Sequence, residues 1–303
     1  MDNAEDNIVA SRGHPGDRAK VETIRAGHHF RRRGPGVRRA MEALTDLAVQ
    51  VLETADPLRK IELSHQAAAA WRQRAIPVLG TRRPPPRPAR PAQPELRRPG
   101  DMPKRRLGGE AGRIALLHAL AHIELNAIDL SWDLIARFAT ADTPDGFFDD
   151  WVKVADEEAT HHGLLSRRLG ELGSGYGALP AHDGLWQAAE ETAEDLLGRL
   201  SVVPLVLEAR GLDVTPETVE RLERAGDADS ARILHRIYTD EIGHVAAGRR
   251  WFEWECGRQA LPPVPTYHAL VRRYFRAKLK RPFNVPARDL AGFAAAFYEP
   301  LAD

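Results

Sequence analysis

"DEEATHH", from Asp156 to His162, puts three acids and two histidines into seven positions of a stretch with helical apolar spacing. Further along, "TDEIGHV", from Thr239 to Val245, repeats the Glu-x-x-His element with Glu241 and His244. An α-helix turns about 100° per residue, so positions spaced 3,4,3,4 share one face. Followed from Trp151, that rule collects Val154, Glu158, His161 and Leu165, which puts Glu158 and His161 on a buried stripe. Glu157 falls beside Asp150 and Lys153 on a polar face, so Glu157→Ala is expected to spare whatever Glu158 binds. The second copy collects Leu234, Ile237, Glu241, His244, Gly248 and Trp251.

Two further helices carry one glutamate each. The first gives Leu117, Leu120, Glu124, Ala127 and Ser131; the other gives Leu197, Ser201, Pro204, Glu208 and Gly211, with Glu190 and Glu194 as competitors. Pro204 removes a helical hydrogen bond and predicts a kink just before Glu208. Spacing favours Glu208: Glu124 and Glu158 are 34 residues apart, Glu208 and Glu241 33. Each half then reads as a helix hairpin carrying Glu followed by Glu-x-x-His.

Four buried carboxylates without compensating charge would cost several kcal/mol each, on the order estimated for unpaired buried ions. A metal pair supplies the missing charge, and the two imidazoles favour transition metals over Mg or Ca. A Glu from each of two helices plus Glu-x-x-His from each of two more is the known di-iron or di-manganese pattern of helical bundles. The expected ligands are Glu124, Glu158, His161, Glu208, Glu241 and His244, holding two iron ions; manganese or a mixed pair fits the same donors. The competing reading is a set of buried ion pairs with Arg167, Arg168, Arg249 or Arg250.

Patterning along the chain predicts an all-α fold: a four-helix bundle with additional N- and C-terminal helices. Long helices are expected at about 110–139, 146–172, 185–210 and 228–257, broken by "TADTPDG", "GSGYGALPAHDG" and "GLDVTP". Shorter ones are expected at about 41–54, 57–74, 216–225, 266–279 and 287–298, with Asp56-Pro57 as a cap pair. No alternating stretch suggests a sheet. The expected organisation is a disordered arm over 1–40, a helical hairpin over 41–80, a Pro/Arg-rich strap or linker over 81–106, the bundle over 107–258 and a helical extension over 259–303. Helical patterning begins at Met41, an alternative start.

Composition narrows the function classes. The formal net charge is zero, against a globally basic nucleic-acid binder, and the one cysteine, Cys256, allows neither an intrachain disulfide nor a cysteine zinc cluster. No run of about 20 apolar residues and no secretory leader stand out, so a cytoplasmic protein without a membrane partner is expected.

The segments "LLHALAHIELNAIDLSWDLIARF" (Leu116 to Phe138), "DEEATHH", "LEARGLDVTP" (Leu207 to Pro216) and "YTDEIGHVAAG" (Tyr238 to Gly248) resemble the ferritin-like di-iron carboxylate proteins. Within them the chain is most similar to a bacterial family filed as domain of unknown function 455. The resemblance runs from about Met41 to the C-terminus and implies the same six ligands. It leaves three functions open. The first is an oxygen-dependent oxidoreductase or hydroxylase, with dioxygen and a reductant as partners. The second is non-catalytic iron storage or detoxification. The third is an RNA- or protein-binding scaffold with a residual metal site, favoured by "RRPPPRPARP", "PKRR" and "RRYFRAKLKRP". Near the ligands, Asp156 and Asp240 are candidates to bond a ligand imidazole. His118, His122 and Asp129 form either a supporting layer or a separate polar seam; Tyr238 is either a proton donor or a packing residue.

Overall fold

The described residues are predominantly helical. The computed structural model describes residues 42–98, 101–102 and 109–302; the arm over 1–40, the start at Met41 and "PKRR" lie outside them. Two short helices come first, α1 (Leu44–Leu52) and α2 (Pro57–Arg72). Asp56 caps α2 by accepting the Arg59 N–H at 2.8 Å, with Pro57 in the first turn where no N–H is needed. Helices α3 (Gly109–Phe138) and α4 (Asp145–Glu171) pack side by side, α1 lies on α3, and α2 lies on α4.

The expected long helix at 185–210 is broken into α5 (Gly184–Glu191), α6 (Leu196–Val202) and a π-turn over Val203–Glu208. Asp195 interrupts it, capping α6 by accepting the Gly198 N–H at 2.9 Å. Pro204 produces the π-turn, and the Ala209 N–H reaches back to the Pro204 carbonyl. A π-turn leaves one carbonyl outside the regular ladder. Here the buried Tyr267 hydroxyl donates to the Leu205 carbonyl at 3.1 Å.

"GLDVTP", read as a breaker, lies inside helix α7 (Ala209–Arg224), which also absorbs the expected helix at 216–225. Pro216 cannot donate to the carbonyl four residues back, a loss that usually ends a helix. That carbonyl, Leu212, instead accepts from the Asn284 side chain at 3.0 Å. Helix α8 (Ala228–Arg258) packs on α4, α7 and the π-turn. The C-terminal segment adds α9 (Pro263–Tyr274), α10 (Val285–Leu290) and α11 (Ala295–Tyr298), so the helix expected at 287–298 is two short ones. A two-residue parallel pairing, β1 (Leu96–Arg97) with β2 (Ala181–His182), corrects the expectation of no sheet. It ties the proline-rich strap to the loop after α4. The strap also reaches α3, where Arg90 pairs with Asp129 at 3.0 Å and donates to Asn126 at 2.8 Å.

Burial along the long helices changes character midway. One apolar cluster holds Leu125, Ile128, Val154, Ala155, Val245 and Trp251. A second holds Leu117, Ala121, Leu165, Leu169, Leu234 and Ile237. Glu124, Glu158, His161, Glu241 and His244 fall between these stretches on their own helices. The acids and histidines therefore form a polar layer between two apolar ones.

By length and composition α3 could cross a membrane, but two-thirds (67%) of its most apolar window is buried inside the fold. It is the core helix of this structure.

Close packing at the π-turn gives a first prediction. A Cβ on Gly248 would lie 2.4 Å from Pro204 Cβ, so α8 approaches the turn only because position 248 lacks a side chain. Gly248→Ala gains about 1 kcal/mol of helix propensity. Forced repacking of a tight core costs about 1–3 kcal/mol. The variant is expected to be less stable, read as a lower urea midpoint with an unchanged slope.

Candidate metal centre

Helix α4 delivers Glu158 and His161 to the polar layer because both follow Trp151 and Val154 on the buried face. Helix α8 delivers Glu241 and His244 by the same spacing, α3 delivers Glu124, and the π-turn delivers Glu208 at its last position. Four of the residues, Glu124, Glu158, His161 and Glu241, offer ligand atoms lying within 4.8 Å of one another. His161 Nδ1 is 3.3 Å from Glu124 and 3.4 Å from Glu158. His244 Nδ1 is 3.0 Å from Glu158 and 3.6 Å from Glu241. Glu158 thus stands between the two imidazoles. Glu208 is joined to the group through the charges of Glu241, Glu158 and His244.

Buried polar atoms are nearly always hydrogen-bonded, so exceptions call for an explanation. Among the described residues, Glu124 Oε2, both Glu158 oxygens, Glu208 Oε2, Glu241 Oε2 and the Nδ1 atoms of His161 and His244 have no hydrogen-bond partner. Among the described residues, three arginines of the competing reading pair elsewhere. Arg168 pairs with Asp227 and Glu171, Arg249 with Glu253, and Arg250 with Asp150.

The outer nitrogen of each imidazole is fixed. His161 Nε2 donates to Asp240 at 3.0 Å, and Arg236 donates to the same carboxylate. His244 Nε2 donates to Glu157 at 3.1 Å, and Lys153 donates to Glu157 at 2.8 Å. A proton held at Nε2 makes Nδ1 the nitrogen directed at the glutamates, and the one that offers a lone pair when the imidazole is neutral. Each helix therefore supplies the acid that orients the other helix's histidine.

Asp240 fills one of the roles considered for it, whereas Asp156 bonds His65 and Arg72 instead. Glu157 is on the outer face beside Lys153, where the helical spacing put it, and from there its carboxylate also reaches His244, a contact the spacing did not reveal. The signal was an acid immediately before the Glu of both Glu-x-x-His copies. Loss of a carboxylate that orients a ligand histidine typically costs about 10–100-fold in metal affinity. Glu157→Ala and Asp240→Ala are each expected to weaken metal binding by that order without removing it, as measured by competition with a chelator.

Electrostatics follow from burial. Desolvation, then the Glu158 charge, pushes Glu124 well above the usual carboxylate range. Desolvation with Glu241 and Glu158 does the same to Glu208, and Glu241 is also raised, by desolvation and then Glu158. Burial alone would raise Glu158 too, but the close approach of the His161 and then the His244 imidazole outweighs it and holds Glu158 low. Burial opposes the charged form of both histidines. The acids around them prevail, Asp240 first for His161 and Glu241 first for His244, and both imidazoles are raised well above their ordinary value.

Other singled-out residues belong to a separate seam. His118 Nε2 accepts the Gly177 N–H at 3.0 Å, His122 lies between the Tyr176 hydroxyl and the His182 carbonyl, and Asp129 pairs with buried Lys60 and with Arg90. His162 is buried and donates to the Ala121 carbonyl at 2.7 Å. Tyr238 accepts from Asn284 at 3.0 Å. Cys256 is buried and unpaired.

The fold and the cluster define a helical protein whose buried glutamate–histidine layer has the donor set of a metal site. The chain belongs to DUF455, described as a family of proteins of unknown function, with residues 53–299 matched. It is 42% identical over 208 residues to an uncharacterized protein of Haemophilus influenzae, covering 67% of this chain and 72% of that protein. No solved structure matches the chain.

Proposed function

We propose that this chain is a ferritin-like di-metal carboxylate protein, with an oxidoreductase or hydroxylase activity that uses dioxygen. Glu124, Glu158, His161, Glu208, Glu241 and His244 would hold two iron ions. The observation that carries the reading is the set of buried oxygens and imidazole nitrogens on these six residues that make no hydrogen bond among the described residues, with Glu124, Glu158, His161 and Glu241 bringing ligand atoms within 4.8 Å of one another. Their chemistry fits the group: four carboxylates balance the charge of two divalent ions, and the imidazoles favour a transition metal. Bound iron would supply the reduction of dioxygen, with electrons from an external reductant.

The chain's own residues do the rest. Asp240 and Glu157 keep the Nε2 protons in place, so each imidazole presents Nδ1 inward. Arg236 and Lys153 hold those orienting acids from outside. The apolar clusters on either side limit water. Glu208 sits at the end of a π-turn, a helix irregularity frequent at functional sites.

Anaerobic reconstitution with ferrous iron, followed by oxygen in the presence of a reductant, tests the activity. Catalytic oxygen consumption with the iron retained supports it. Mineral growth in a large assembly, without turnover, would replace it by storage.

A further inference from the structure

Glu124, Glu208 and Glu241, from α3, the π-turn and α8, all line a cavity of about 210 Å³ between α3 and α7. The other walls are mostly aliphatic, with Leu120, Ile123 and Ala127 from α3 facing Val203, Leu207 and Val214 from the π-turn and α7. Apart from the three glutamates, the charged or hydroxyl-bearing lining residues are Arg210 and Thr215. Arg210 is directed at the C-terminal segment, where its Nη1 donates to the Lys280 carbonyl at 2.9 Å. Ile123 and Val214 are large apolar residues exposed at 42% and 41%, so the apolar lining continues to the surface.

A hydrated ion moving along such walls would give up water for groups that cannot replace it. An apolar group gains by the same transfer. Size sets a second limit: an apolar cavity of about 150 Å³ binds benzene. This cavity admits a ring with a few more carbons or a short branched alkyl group.

We propose that the substrate of this centre inserts an uncharged, apolar group of that size between α3 and α7, against Glu124, Glu208 and Glu241. The proposal rests on the di-metal reading for the chemistry, but not for the binding. Gly211 makes the binding testable. It lines the cavity, its backbone is not in the left-handed region, and an added Cβ meets no atom within 4 Å. A leucine there fills the space without displacing the backbone, in a helix that tolerates leucine better than glycine.

Calorimetric titration of the zinc-loaded and the metal-free chain with toluene, indole, benzoate and benzylammonium tests it. The expected result is saturable binding of toluene and indole, one per chain, at least tenfold tighter than either charged ring. Gly211→Leu should weaken that binding at least tenfold while zinc content stays at the wild-type value. Val214→Asp, at the exposed mouth, should weaken it in the same direction. Absence of saturable apolar binding, tighter binding of a charged ring, or unchanged affinity in both variants would overturn the proposal. Apolar binding blocked by Gly211→Leu in a chain that retains no metal supports the cavity assignment and overturns the di-metal reading alone.

Discussion

Replacing Glu158 by alanine is expected to reduce the metal content from two ions per chain, the number set by the two-metal bundle pattern, to at most one. Among the described residues, Glu158 is the carboxylate within 3.4 Å of both His161 and His244. Both its oxygens are sealed without a hydrogen-bond partner. Removing it takes a donor from each half of the layer at once. The fold should persist without metal, because the substitution also deletes a buried charge that Glu124, Glu208 and Glu241 all sense. Glu157→Ala is the control: one residue away, about 100° round the helix, it should keep two ions at saturating metal and lose only affinity. Elemental analysis of both variants after identical loading reads the difference. A Glu158→Ala protein that still holds two ions would show that the layer is not arranged around this residue.

The second large effect is on stability, and its sign is set by the displaced pKa values. Glu124, Glu208 and Glu241 are raised in the metal-free fold. Their contribution is intact below the unfolded carboxylate value of about 4.3 and declines as pH rises through the folded values. His161 and His244 are raised as well, so theirs is intact below about 6.5 and lost as pH rises through the folded values. Glu158 is lowered and runs the other way, losing its contribution as pH falls. Within the layer, five groups against one favour the metal-free fold less as pH rises from mildly acidic values; the buried His122 and His162, both lowered to about 4, act the other way but equally with and without metal. Metal requires deprotonated ligands, so its stabilisation grows over the same range, by about 1.4 kcal/mol per pH unit for each proton displaced. Melting curves of metal-free and saturated protein between pH 5 and 8 should therefore diverge. Curves that stay parallel or converge would contradict a buried tetracarboxylate layer.

How much was legible depended on where each residue's partners lie. The inner faces of α4 and α8 could be read because their apolar neighbours sit one turn away in sequence, and the structure buries Glu158, His161 and His244 there. The helix carrying Glu208 was harder. Pro204 and Pro216 are local breakers, and two carbonyls in the irregular stretch around them, Leu205 and Leu212, take their hydrogen bonds from 62 and 72 residues away, from the Tyr267 hydroxyl and the Asn284 side chain. Nothing within a helical window reports such partners, so a break was expected where α7 runs on. The contact from Glu157 to His244 was missed for a related reason. Angular position tells which face a Cβ leaves from, not how far three further bonds can reach. Here they cross to His244 on the neighbouring helix.

The most direct test of the central claim is the metal content of the purified chain after anaerobic loading with ferrous iron and removal of loosely held ions. The six-residue layer predicts two ions per chain, at most one in Glu158→Ala, and two again in Glu157→Ala at saturating metal. One ion per chain in the wild type, or a lone zinc held by four ligands, would contradict it.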